Sequence, residues 1–166
     1  MMRTKCITCG DEIDVDAGLP EEFVDRAAIV AVCPRCATRE LLESGGQVVD
    51  FREDPPGALF PLGPVAVTPG AVESLAGAGR HLAEFLGRHV AGDWGKAGRL
   101  DETEVTANEL RHGAAVTDNE AKLNAIALHH RRGRVMSIYP TRESETLWIF
   151  TYLEAPRTEV LLPSEY

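Results

Sequence analysis

Four cysteines crowd into the first 36 residues of this 166-residue chain, as Cys6-x-x-Cys9 and Cys33-x-x-Cys36, with 23 residues between the two pairs. No other feature restricts the fold as much. Each C-x-x-C hook sets two thiolates at adjacent corners of a tetrahedron while backbone amides of the hook donate to sulfur, and Gly10 relieves the turn after the first hook. Two hooks complete the coordination sphere. Four thiolates leave no position for water, so the expected ion is a structural zinc and not a catalytic one. Its binding free energy would replace the core that about 50 residues cannot build unaided. Two disulfides, four reduced thiols or a rubredoxin-like iron use the same residues, although a disulfide pair is unusual in the cytoplasm.

Charge and composition narrow the remaining choices. The chain carries 26 Asp+Glu against 17 Lys+Arg, a formal charge of −9, which disfavours nucleic-acid or membrane coating driven by net charge. Between the hooks, Asp11, Glu12, Asp14, Asp16, Glu21, Glu22 and Asp25 would repel phosphate, which favours a protein partner for this segment. Hydrophobic residues at 44% and charged residues at 26% match globular averages, so the chain should fold. The opening MMRTKC has no apolar signal region, and no run approaches the roughly 18 apolar residues of a spanning helix. A cytoplasmic protein without a membrane partner is the expectation. From Arg52 to Pro64, Pro55, Pro56, Pro61 and Pro64 with Gly57 and Gly63 read as a semi-rigid connector, giving a metal-binding module over 1–51, a linker over 52–64 and a second domain over 65–166.

Local signals outline that second domain. Val65-Ala66-Val67 suggests a short strand, and Thr68-Pro69 is a helix cap followed by proline at the first helical position. A helix bearing Val72, Leu75 and Ala76 is interrupted by Gly77 and Gly79, and Leu82, Phe85, Leu86 and Val90 resume the helical period. The segment Gly92-Asp93-Trp94-Gly95-Lys96-Ala97-Gly98 reads as a loop. Asp101 is expected to cap a helix ending at Gly113, and Thr117 with Glu120 to cap one through Leu123, Ile126 and Ala127 that ends at Gly133. The period then changes, with Arg134–Tyr139, Leu147–Leu153 and Thr158–Leu162 rich in β-branched and aromatic residues and separated by hairpin-sized turns. The fold class predicted is α+β: a small metal module, then a helical layer packed on a three- to four-stranded antiparallel sheet. Trp148 is expected to lie buried against a helix, and Trp94 to pin its loop to the body.

CITCG and CPRC resemble the two knuckles of a zinc ribbon, from Lys5 to about Phe51, with Ala37 where a glycine commonly follows the second knuckle. From Phe60 onward the chain resembles a family of small uncharacterised bacterial proteins often carried on plasmids and other mobile elements. The matching residues are Thr68-Pro69-Gly70-Ala71, Arg88-His89, Gly92-Asp93-Trp94-Gly95, Asn124, Gly133-Arg134, Ser137-x-Tyr139, Trp148-Ile149, Arg157-Thr158 and Leu161-Leu162-Pro163-x-Glu165-Tyr166. The chain departs from it in extra residues between Asp93 and Asn124 and in having Tyr152-Leu153-Glu154 where the family would have an acidic turn. The resemblance implies no particular activity. It implies a zinc-binding interaction or regulatory protein of a bacterial mobile element.

A competing reading is a small metal-independent ribonuclease, since helices followed by an antiparallel meander resemble barnase and related ribonuclease toxins. Such an enzyme needs a base, an acid and an arginine for the developing phosphorane charge. The candidates are His89, Arg134, Ser137, Tyr139, Thr151 and Arg157, drawn from a helix end and three strands that one cleft could gather. Ser137 and Tyr139 share a strand face by their two-residue spacing. Arg111, His112, His129, His130, Arg131, Arg132 and Arg134 form a basic cluster at two helix ends, a local surface for RNA or a complement to the helix dipoles. Gly77-x-Gly79 lacks the strand and third glycine of a dinucleotide loop, and no Walker lysine follows a Gly-rich turn, so no nucleotide cofactor is expected.

Overall fold

The structure, a computed structural model, describes residues 54–166 together with the strands Met2–Lys5 (β1), Glu12–Val15 (β2) and Gln47–Val49 (β3). β1 and β2 pair antiparallel, Met2 opposite Val15. Cys6, Cys9, Cys33 and Cys36, and with them the zinc expectation, lie outside the described residues.

Val65–Val67 (β4), Arg134–Arg142 (β5), Glu145–Tyr152 (β6) and Arg157–Leu161 (β7) join β3 in a five-stranded sheet of order β3-β4-β7-β6-β5. The expected antiparallel sheet is corrected here, because β4 runs parallel to β7, Val65 beside Thr158 and Val67 beside Val160. A parallel neighbour requires a long crossover. Among the described residues all the α-helices lie between β4 and β5 in sequence, and with β5 and β6 they supply that crossover. The three C-terminal strands do form the expected meander, with β6 between β5 and β7.

Four helices complete the domain: Pro69–Ala78 (α1), Leu82–Val90 (α2), Ala107–His112 (α3) and Glu120–His130 (α4). The Thr68 hydroxyl caps α1 at the Ala71 amide, and Gly79 ends the helix in the left-handed conformation. The third helix begins later than Asp101. Thr106 and Glu109 satisfy one another's backbone amides in a capping box, while Leu100–Glu102 forms only a short 3-10 turn. The fourth helix is capped by Asn119, whose side chain accepts from the Lys122 amide, and Thr117 instead accepts from the Asn119 amide. It ends at Arg131, the one non-glycine residue with positive φ among the described residues, two positions before Gly133.

Strand alternation sorts the sheet into two faces. Val65, Val67, Val135, Tyr139, Leu147, Ile149 and Val160 meet Ala71, Leu75, Phe85, Leu86 and Val90 from α1 and α2 and Ala121 from α4. The helices therefore pack on this inner face. Phe60 and Leu62, from the segment expected as a linker, are buried in the same core. Leu59 donates its amide to the Val90 carbonyl at 2.8 Å, fixing that segment to the end of α2. On the outer face Met136, Phe150 and Leu161 make a smaller cluster flanked by Ile138, Trp148 and Tyr152. Trp148 is thus half-buried on the face away from the helices, its ring 6.0 Å from Phe150 and 5.7 Å from Tyr166, because its strand alternates Leu147 and Ile149 inward. Trp94 is fully buried in the main core, as the anchored-loop expectation required. No helix among the described residues is long and apolar enough to cross a membrane.

Candidate functional site

Four of the six polar candidates, His89, Ser137, Tyr139 and Thr151, converge beneath the sheet's inner face. His89, on the last turn of α2, is completely buried, with its Nδ1 2.6 Å from Ser137 Oγ and its Nε2 2.9 Å from Thr151 Oγ1. Thr151 Oγ1 lies 2.7 Å from Thr158 Oγ1, and the Thr158 hydroxyl donates to the Leu62 carbonyl at 2.7 Å. That carbonyl sets the direction of the whole chain. Because it can only accept, Thr158 must donate to it, Thr151 must donate to Thr158, and His89 must donate from Nε2 to Thr151. Nδ1 is left to accept from Ser137. One neutral tautomer is selected from one end of the network to the other.

Burial pushes the His89 imidazole down to about 3, since no carboxylate compensates a charge there. Phe60 closes the pocket edge-on, its ring 5.2 Å from the imidazole. Tyr139, two residues along from Ser137 on the same face, sends its hydroxyl to the Asp93 carbonyl at 2.5 Å, and burial raises its pKa. Neither group is placed to exchange protons with a substrate at neutral pH. A neutral histidine with both nitrogens bonded inside an apolar core is a packing element.

The six candidates do not share one cleft. His89, Ser137, Tyr139 and Thr151 belong to the inner network, whereas Arg134 and Arg157 project from the outer face. The Arg134 guanidinium stacks over the Phe150 ring at 4.6 Å, and that of Arg157 over the Tyr152 ring at 4.0 Å. Burial raises the Tyr152 phenol to about 12. The β-sheet separates the histidine from both arginines, so the base and phosphorane-stabilising pair expected of a ribonuclease is not assembled.

Other motif residues make three further clamps. In the first, Asn124 on α4 donates Nδ2 to the Met136 carbonyl at 2.7 Å and accepts the Met136 amide at 2.9 Å, capping the free edge of β5 like a strand neighbour. Beside it the Gly-rich loop continues the cover: Ile138 donates to the Trp94 carbonyl at 3.1 Å and Lys96 donates to the Ile138 carbonyl at 2.8 Å. Gly95 permits this approach, because a Cβ there would sit 2.3 Å from the Ile138 carbonyl oxygen at a φ of +62°.

In the second, Arg88 Nε contacts Asp93 Oδ2 at 2.8 Å while Asp93 Oδ1 accepts the Gly95 amide at 3.2 Å, which holds the loop on α2. The hydrogen bond to Asp93 raises the Arg88 pKa, and its counterpart from Arg88 lowers that of Asp93. In the third, the carboxylate of Glu165 accepts from the Thr68 hydroxyl at 2.5 Å, the Gly70 amide at 2.9 Å and the Leu162 amide at 2.8 Å. It neutralises the N-terminus of α1 and ties the C-terminal turn to it.

Thr158 and Glu165 stand among the motif residues of the resemblance but not among the site candidates, and the Leu62 carbonyl stands in neither group. Thr158 carries a signal, since it alternates with the buried Val160 in β7. The other two depend on segments nearly a hundred residues apart in sequence. Among the described residues no group of three His, Cys, Asp or Glu side chains is placed to hold a metal. No protein-family model, no curated protein and no solved structure matches this chain.

Proposed function

We propose that the chain is a zinc-binding interaction or regulatory protein of a bacterial mobile element, cytoplasmic, with no catalytic role for its α+β domain. The observation that carries this reading is the sealed environment of His89. The residue best suited to acid–base work is neutral, fully buried and bonded at both nitrogens. The residues that resemble family motifs are spent on holding strand edges, a loop and a terminus together, which suits a scaffold that presents surfaces to a protein partner. The four thiolates of Cys6, Cys9, Cys33 and Cys36 are the donor set of a structural zinc, and they carry the metal part of the proposal.

Two measurements test it. Purified protein incubated with mixed RNA in EDTA should leave the RNA intact at high protein excess. Cleavage that disappears in a His89→Ala variant of preserved fold would overturn the non-catalytic reading. X-ray absorption on the metal-loaded chain should show zinc with four sulfur ligands at about 2.3 Å, and nitrogen or oxygen ligands would remove the ribbon assignment.

A further inference from the structure

The basic cluster at the ends of α3 and α4 is left unused by the interior clamps. His130 Nε2 donates to the Leu110 carbonyl at 2.7 Å, which places the end of α3 beside the end of α4. Every residue from His129 to Arg134 is exposed, as are Arg111 and His112. Arg131 donates to the Leu59 carbonyl at 2.7 Å, Arg134 lies flat on Phe150, and Arg132 meets Glu154 at 3.3 Å. Glu154 is the only carboxylate in an ion pair with these cations among the described residues. Dipole complementation does not use up so much charge. Two helix ends call for about half a charge each, and Glu154 takes one more, so about two of the four guanidinium charges remain. They remain on a molecule whose formal charge is −9, so the positive sign is segregated.

We propose that this corner binds the phosphodiester backbone of a nucleic acid, an interaction beyond the protein contacts proposed above and independent of the zinc assignment. All four permanent cations are arginines, whose planar donors fit phosphate oxygens in pairs. Across the turn in which Arg131 has a φ of 55° and Gly133 one of 79°, the three arginines reach separate anchor points, the Leu59 carbonyl for Arg131, Glu154 for Arg132 and the Phe150 ring for Arg134. That spread suits a charged strand tracked along its length. The large apolar side chains exposed beside this corner are two single residues, Leu59, whose carbonyl Arg131 holds, and Val116 after the turn that follows α3, whereas a protein interface is centred on a cluster of aromatic or aliphatic anchors. The net negative charge makes the binding local, weak and strongly salt-dependent.

The test is fluorescence anisotropy of a labelled single-stranded RNA titrated with the full chain across a salt series. Wild type should bind at low salt, and Arg111→Gln with Arg132→Gln should lower the slope of log K against log salt by about 0.7 for each phosphate that is no longer neutralised. Arg111→Lys with Arg132→Lys should keep the slope and lose only part of the affinity. An Arg142→Gln control, on the far turn between β5 and β6, should change nothing. Unaltered binding in the Gln double variant, with Trp94 still protected from quencher, would overturn the proposal. So would capture of polyglutamate with no competition from RNA, which would assign the corner to an acidic protein.

Discussion

At the residue scale, His89 is the position on which the reading of the domain turns. Its folded pKa is lowered to about 3 by burial, against an unfolded value of about 6.5, so the unfolded state binds a proton that the folded state refuses. Stability is therefore complete above about pH 6.5 and falls as the pH drops towards 3, by about 1.4 kcal/mol per pH unit from this group. Urea titrations between pH 7 and pH 5 should show that dependence, and a folded His89→Gln variant should show a flatter one. A wild-type dependence no steeper than the variant's would mean that the imidazole is not buried neutral.

Trp94 gives a second check at this scale. Its side chain is fully buried and its indole Nε1 has no hydrogen-bond partner among the described residues, so its side chain contributes through packing. Trp94→Ala should cost about 3 to 5 kcal/mol in chemical denaturation. In a Trp148→Phe variant the remaining indole should resist acrylamide, and quenching like free tryptophan would contradict its burial.

At the element scale, the edge of β5 is the most exacting feature. Asn124→Ala strips partners from a buried amide and a buried carbonyl of Met136 together, and a loss of about 2 to 4 kcal/mol is expected. Gly95→Ala and Gly79→Ala form a matched pair, since both positions have a φ of +62° but only Gly95 faces backbone within 2.3 Å. Gly79→Ala should cost about 1 kcal/mol from the left-handed backbone alone. Gly95→Ala should cost clearly more, and equal melting temperatures would show that the loop is not docked on β5.

What the sequence makes legible at this scale is local. Thr68-Pro69 marks the start of α1, and the alternation of Leu147, Ile149 and Thr151 with Trp148, Phe150 and Tyr152 sorts β6 into two faces, because a cap and a strand period need only neighbouring residues. Which face the helices cover is not local, and the expectation of Trp148 against a helix chose the wrong one. The start of α3 has an equally local signal in Thr106 and Glu109, which Asp101 obscures by being another good capping residue. Thr117 and Glu120 show the converse, a capping pattern displaced by the Asn119 side chain. The parallel pairing of β4 with β7 is not legible, since it joins Val65 to Thr158 across the whole helical crossover. The depth of His89 is hidden for a related reason. Its burial depends on Phe60, Ser137 and Thr151 arriving from three distant segments, and an isolated histidine on a helix looks the same whether it faces a core or a cleft.

At the scale of the whole molecule, the domain and the segment before it share a sheet, because β3 pairs with β4 through Gln47 opposite Val67 and Val49 opposite Val65. Among the described residues the main core is nevertheless built from side chains between Ala58 and Leu162. Chelation of the proposed zinc should therefore leave the Trp94 environment intact, as read by acrylamide quenching before and after treatment. Simultaneous loss of Trp94 protection would show that the two parts fold as one cooperative unit. The central claim is that the polar motif residues hold the domain together and do not form a reaction centre, and it is tested most directly by nitrogen-15 NMR of the histidine side chains as a function of pH. The His89 ring should stay neutral, in the Nε2–H tautomer, from pH 7 down to about pH 4. An imidazole at position 89 that titrates near pH 6.5, or that carries its proton on Nδ1, would contradict it.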